Sequence, residues 1–327
     1  MRSNRPSRPL LACAAAAGAL LLVVLALTAA HGQAEAPVPL PASACFGAAA
    51  RDPLHPCRNR ALRLKVFPAP SAAHDEPNAP CNSFHRDGHV NVCAFGVIPE
   101  LATRTIALIG DSHASVWRAP LALIARDFGW RGLSITRRSC PLSAATRLTP
   151  EPARSHCVRW VGEIPGFLRR HPEVDTLFVV ALARGKVVVP PGRTETEARI
   201  SGYERAWARL PATVRHIVVI RDPPRIKRAD VRCIDDAIAA RKPAGLACAV
   251  PRNQALARDA QILAARRAQS PRLQVIDLTH VFCGSRSCFP VIGGALVFKD
   301  RHHLSLAFAR TLAPQLAREI QRLAPTW

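Results

Sequence analysis

Thr105-Ile106-Ala107-Leu108-Ile109-Gly110-Asp111-Ser112-His113-Ala114 is the stretch on which the reading of this chain turns. An apolar run too short for a helix ends in a glycine that permits a tight turn, and a helical pattern over 113–127 follows at once. The same alternation continues outward. Short apolar runs recur at 132–136, 176–181, 216–220 and 273–278, and helical patterns fill 156–170, 196–209, 252–268 and 303–323. Strand, helix, strand in this order predicts a parallel sheet covered on both faces, a doubly wound α/β/α sandwich of five strands. Functional sites in that architecture lie at the carboxyl ends of the strands.

Ser112 stands at such an end. A serine between the tip of the first parallel strand and a helix exposes its hydroxyl, and the free N–H groups of the helix N-terminus face the same point and favour an oxyanion. Gly110 and Asp111 shape the turn; an Asp-Ser pair at a strand-to-helix junction also serves as an ordinary helix cap. Far down the chain, Asp300-Arg301-His302-His303-Leu304-Ser305 precedes the last helical pattern. An aspartate three residues before a histidine can accept from the imidazole Nδ1–H and leave Nε2 free to take a serine proton. The expected constellation is therefore Ser112 as nucleophile with Asp300 and His303 as its base, and His302 is set aside as the lesser base.

At the N-terminus Arg2, Arg5 and Arg8 precede a run over 10–30 that is apolar except for Thr28. This is an export signal with two open forms, a cleaved signal peptide or an uncleaved membrane anchor. Either places the rest of the chain in the periplasm or another extracytoplasmic space. Of 11 cysteines, Cys13 lies inside the apolar run, and an even number remains. Spacing suggests the local pairs Cys45/Cys57, Cys81/Cys93, Cys140/Cys157, Cys233/Cys248 and Cys283/Cys288, although connectivity as such is not readable from sequence. No Cys-x-x-Cys knuckle occurs, so no structural metal is expected. The expected domains are a leader over 1–34, an irregular Pro- and Cys-rich linker and cap over 35–100, and a catalytic domain over 101–327. The formal charge of +22 is carried by scattered arginines, with a single tyrosine in the chain. That pattern argues against nucleic acid as partner and suits a solvated surface drawn to anionic envelope polymers.

The Gly110-Asp111-Ser112-His113-Ala114 junction together with Asp300-x-x-His303-Leu304-Ser305 resembles the SGNH (GDSL-like) hydrolase superfamily, and more narrowly the SGNH domains linked to type 3 membrane acyltransferases of bacteria. Cys93-Ala94-Phe95-Gly96 and Ser139-Cys140-Pro141 resemble that subgroup too, and the likeness spans about residues 81–323. The resemblance implies a flavodoxin-like sheet, a Ser112, Asp300, His303 triad and no cofactor. It also implies oxyanion donors from the Ser112 N–H and from two further blocks. Those blocks depart from the family pattern: Arg138-Ser139-Cys140 lacks the usual glycine, leaving the N–H at Ser139 as candidate. Ala181-Leu182-Ala183-Arg184-Gly185 lacks the usual asparagine, leaving Arg184 as substitute donor or substrate ligand.

The expected function is an exported serine-dependent O-acyltransferase that acetylates an envelope polysaccharide, with a separate membrane acyltransferase as acyl donor. An esterase with the same triad, or a catalytically weak glycan-binding module, are the competing readings.

Overall fold

The computed structural model describes residues 44–77 and 87–324, all within the unit Val38–Trp327. Six strands form the central sheet: β1 (Cys93–Gly96), β2 (Arg104–Gly110), β3 (Trp130–Thr136), β4 (Val174–Val180), β5 (His216–Ile220) and β6 (Leu273–Ile276). Their spatial order is β1-β3-β2-β4-β5-β6. The five strands from β2 onward pair in parallel, and β1 runs antiparallel on the edge beside β3. The apolar runs fall on the parallel strands of a doubly wound sheet, and their order is the flavodoxin-like one that the resemblance implies.

Alternation along each strand divides the core in two. Ile106, Leu108, Phe178, Val180, Val218 and Ile220 face one cluster, completed by Trp117, Leu121 and Ile124 of α1 (Ser112–Asp127), Phe308 of α6 (Leu306–Thr311) and Leu316 and Ile320 of α7 (Ala313–Leu323). Ala107, Ile109, Leu177, Val179, Ile217 and Val219 face the other. There Trp160, Ile164 and Leu168 of α2 (Ala153–Arg170), Tyr203 and Trp207 of α3 (Glu195–Ala208) and Ile262 of α5 (Ala260–Arg267) cover them. Period-two side chains that are apolar on both faces are what a strand between two helical layers requires. Each buried Leu, Ile or Phe contributes roughly 1.5–3 kcal/mol, so the strand ends that carry the site rest on a fixed base.

Two helical patterns resolve differently from their sequence reading. The pattern over 252–268 splits into one turn, Arg252–Ala255, and α5, because the buried Asp259 carboxylate accepts from the N–H groups of Gln261 and Ile262 and starts a new helix. The pattern over 303–323 begins at α6, where the Ser305 hydroxyl caps Phe308 N–H, and breaks at Leu312 ahead of Pro314. A proline in the first turn of a helix costs no hydrogen bond and starts α7 cleanly. A further helix, α4 (Arg228–Ala239), fills a stretch for which the apolar pattern predicts no element; Ile234 and Ala237 bury its inner side.

The sheet also reaches back before residue 101, where the sequence suggests only a linker and cap. Phe95 of β1 pairs with Gly132 of β3, and its ring occupies the space a Cβ on Gly132 would need, 2.2 Å away. Upstream, the Ala48 N–H donates to Thr311 Oγ1 at 2.9 Å and Gln315 Nε2 donates to the Ala48 carbonyl at 2.9 Å, docking the turn Gly47–Arg51 on α6 and α7.

Disulfides join Cys45 to Cys57, Cys140 to Cys157, Cys233 to Cys248 and Cys283 to Cys288. Cys93 is disulfide-bonded as well, and Cys81 lies outside the described residues. Bridges of this kind persist in oxidising, extracytoplasmic compartments. Among the described residues no helix is long and apolar enough to cross a membrane; the apolar run over 10–30 lies outside them.

Candidate active site

The chain passes from β2 through α1 to β3 on one side of β2, then through α2 to β4 on the other side. In this architecture the site crevice belongs where the direction reverses, here at the carboxyl ends of β2 and β4. Gly110 closes the end of β2 so tightly that a Cβ there would lie 1.9 Å from the Val180 carbonyl oxygen. Asp111 then caps α1: its Oδ1 accepts from His113 N–H at 2.9 Å, and its Oδ2 accepts from Leu182 N–H at 2.9 Å. One buried carboxylate thus locks the first turn of α1 to the loop after β4. Ser112, the first residue of that turn, is held at the crevice floor.

The loop Asp300–Ser305 comes to the same floor from the far end of the sequence. Ser112 Oγ donates to His303 Nε2 at 2.9 Å, and His303 Nδ1 donates to Asp300 Oδ2 at 2.6 Å. The other oxygen of Asp300 accepts from the backbone N–H groups of His302 and His303, both at 2.8 Å. Burial would raise the Asp300 carboxyl, but the His303 ring and those two N–H groups outweigh it and hold the group well below the usual carboxylate range. Hydroxyl, imidazole and carboxylate in this order are the parts with which a serine oxygen is activated and a protonated imidazole is stabilised. Capping of the last helical segment is left to Ser305, so Asp300 is free for the ring.

The oxyanion candidates are disposed less evenly. The backbone N–H groups of Ser112 and Ser139 have no hydrogen-bond partner among the described residues, and the Arg137 N–H to Gly110 carbonyl bond of 2.9 Å draws the loop of Ser139 against the end of β2. Ser139 adopts a left-handed backbone, φ 59°, and its carbonyl accepts from Arg147 Nε at 3.1 Å. Arg184 spends one guanidinium nitrogen on the carbonyls of Gln254 and Leu256, at 3.0 and 3.2 Å, tying the loop after β4 to the segment before α5.

A second string of polar groups lies alongside, and the sequence reading does not assemble it. His113 Nδ1 donates to Asp222 Oδ1 at 2.5 Å, and His113 Nε2 and His302 Nδ1 share a hydrogen bond of 2.9 Å. Asp222 follows β5; its Oδ2 accepts from Ala183 N–H at 2.8 Å, and its own N–H donates to Asp259 at 3.1 Å. Burial alone would push the His113 imidazole down, yet the Asp222 carboxylate, helped by Asp111 and Asp300, raises it to about 9. Burial, then the neighbouring His303 and His113, push His302 down to about 4. Burial and Asp222 lift Asp259 to about 6. The one available sequence signal was position: a charged residue immediately beyond an apolar strand, in Ile220-Arg221-Asp222, as with Ser112 after β2. Nitrogens of His113, His302 and His303 approach within 4.8 Å of one another, but the bonded ones are committed to Asp222, Asp300, Ser112 and each other.

Comparison with protein families matches residues 79–318 to the SGNH domain fused to AT3 domains. The chain belongs to that family. SGNH membership supports a function of the acyltransferase or esterase kind. Among solved structures, the periplasmic domain of a lipopolysaccharide acetyltransferase from Salmonella ser. Paratyphi A superposes with a TM-score of 0.53 at 14% identity, covering 69% of this chain and 90% of that one. An active-site mutant of a family two carbohydrate esterase from Clostridium thermocellum gives a TM-score of 0.38 at 12% identity, covering 70% of this chain and 66% of that one. Among curated proteins none matches the chain in sequence. The first of these structures shares the fold of this chain, and the family match bears out the expected resemblance.

Proposed function

We propose that this SGNH chain is an exported O-acyltransferase that moves an acyl group, acetyl first among them, onto a hydroxyl of an envelope polysaccharide. The observation that carries the reading is the 2.9 Å hydrogen bond from Ser112 Oγ to His303 Nε2, backed by Asp300. His303 takes the Ser112 proton as Oγ attacks the donor carbonyl, and the resulting imidazolium rests on the Asp300 carboxylate. The N–H groups of Ser112 and Ser139 receive the oxyanion. Collapse returns the proton to the leaving oxygen and leaves acyl-Ser112, which a sugar hydroxyl, deprotonated by the same His303, then resolves.

Extracytoplasmic disulfides support an envelope location, and fusion of related domains to AT3 membrane proteins supports a separate membrane acyltransferase as donor to this chain. The segment over 10–30 would hold the domain near that donor. A formal charge of +22 favours an anionic glycan surface, and Arg184, in the loop after β4, is the proposed contact for its charged or hydroxyl groups.

The test uses the purified full chain with p-nitrophenyl acetate, with and without candidate polysaccharides. Acetylated glycan that forms only when Ser112 and His303 are intact supports transfer. Free acetate at a rate indifferent to acceptor makes the protein an esterase, and p-nitrophenol release no faster than from Ser112→Ala makes it a binding module.

A further inference from the structure

The second polar string has an outer end. His302 Nδ1 is hydrogen-bonded to His113 Nε2, and Nε2 of His302 has no hydrogen-bond partner among the described residues. The ring is part-buried, lies nearly parallel to His113 with centroids 5.1 Å apart, and stands 4.3 Å from the His303 ring that touches Ser112. The loop after β4 is short of donors over 181–183. The N–H groups of Leu182 and Ala183 are spent on Asp111 and Asp222, and 181–183 offers no side-chain amide.

We infer that Asp222, His113 and His302 form a second relay, parallel to the first, whose outer Nε2–H donates a hydrogen bond to the oxyanion formed when Ser112 attacks an ester. This rests on the acyl-transfer reading above. The tautomers follow from the charge on His113, which the buried Asp222 carboxylate beside it favours. Asp222 Oδ1 at 2.5 Å accepts only, so His113 Nδ1 carries a proton. With His113 charged, its Nε2–H also points outward at 2.9 Å, and His302 must accept at Nδ1 and keep its single proton on Nε2. The raised His113 and lowered His302 basicities agree with this distribution.

A buried imidazolium behind a neutral donor suits charge that appears only during reaction. As the carbonyl π pair moves to oxygen and the Ser112 proton moves to His303, the chain Asp222, His113, His302 polarises toward the new negative charge without any proton leaving it. When the intermediate collapses, the pair returns to the carbonyl, the leaving oxygen takes its proton from His303, and the second relay is unchanged. His302 would thus supply the side-chain donor that the loop after β4 lacks.

The experiment combines kinetics with the proton map of the full chain. With p-nitrophenyl acetate, His302→Ala should lower kcat by about 10²–10³-fold with KM changed little, and His302→Gln, which keeps an N–H donor, should recover most of it. In the resting protein, ¹⁵N spectra of labelled histidines should show both His113 nitrogens protonated at neutral pH and the single His302 proton on Nε2. His302→Ala as fast as wild type, in a protein that Ser112→Ala silences, overturns this inference alone; a loss confined to KM does the same. A His302 proton found on Nδ1 overturns it without any assay, whatever the folding of the variants. Ester cleavage unaffected by Ser112→Ala overturns the acyl-transfer reading and this one with it.

Discussion

The two histidine relays of the crevice have the same layout and opposite construction. Asp300 and His303 lie three residues apart on one loop, part-exposed, with the ring aimed at Ser112. Asp222 and His113 lie 109 residues apart on different strands' ends, and both are almost wholly buried. The first presents its far nitrogen to the Ser112 hydroxyl; the second is shut away from solvent, with its imidazole raised by the buried Asp222 carboxylate. A carboxylate beside a histidine therefore does not by itself specify a base. Solvent access and the neighbour at the far nitrogen decide whether the pair moves a proton or fixes one.

That contrast can be broken by mutation. The largest expected effect is on the first relay: Ser112→Ala or His303→Ala should lower kcat for ester cleavage by about 10⁴-fold or more while the thermal unfolding midpoint stays near wild type. Asp222→Asn should divide the other way, since it leaves a buried imidazolium without its counter-charge. A stability loss of about 3–5 kcal/mol is expected from denaturant titration, against a smaller loss for the more exposed Asp300→Asn, whose main effect falls on rate. Equal stability losses would erase the distinction between the relays.

The pH dependence sharpens the same comparison. The folded His113 imidazole, faced by Asp222, Asp111, Asp300, His302 and His303, sits at about 9, above its unfolded value of about 6.5. Its stabilising contribution is complete below the unfolded value and is lost as pH climbs through 9, on the order of a few kcal/mol. Asp300 runs in reverse. Its folded carboxyl is depressed, so its contribution is present above the unfolded value near 3.9 and disappears as pH falls below it. Unfolding midpoints measured from pH 3 to pH 10 should show both limbs, and His113→Leu should flatten only the alkaline one.

The smallest effect concerns the scaffold under the first relay. Ser305→Ala removes the hydroxyl that caps Phe308 N–H at 3.1 Å and donates to the Leu296 carbonyl at 2.5 Å, and should cost about 1–2 kcal/mol. Activity at temperatures well below the midpoint should survive, because Asp300 keeps its hold on His303.

Legibility followed sequence distance. The five parallel strands were readable because strands buried on both faces are continuous apolar runs, and the contact between Asp300 and His303 was readable because three residues of spacing fit one local geometry. The edge strand β1 was not, since Cys93-Ala94-Phe95-Gly96 carries too short a pattern and is secured by the Phe95 ring over Gly132. Helix breaks at Asp259 and Leu312 escaped because amphipathic periodicity runs on through a cap when both segments bury the same side.

The sequence by itself determined the doubly wound sheet, the strand tip bearing Ser112, the Asp300 and His303 loop, and the local cysteine spacing, all of which follow from periodicity and short-range stereochemistry. Only the tertiary structure decided that Asp222 and His302, 109 and 189 residues further along the chain, both close on His113. A buried ion pair is a property of which groups lose their water together, and no run of residues records that until the strands and loops have been brought into one place.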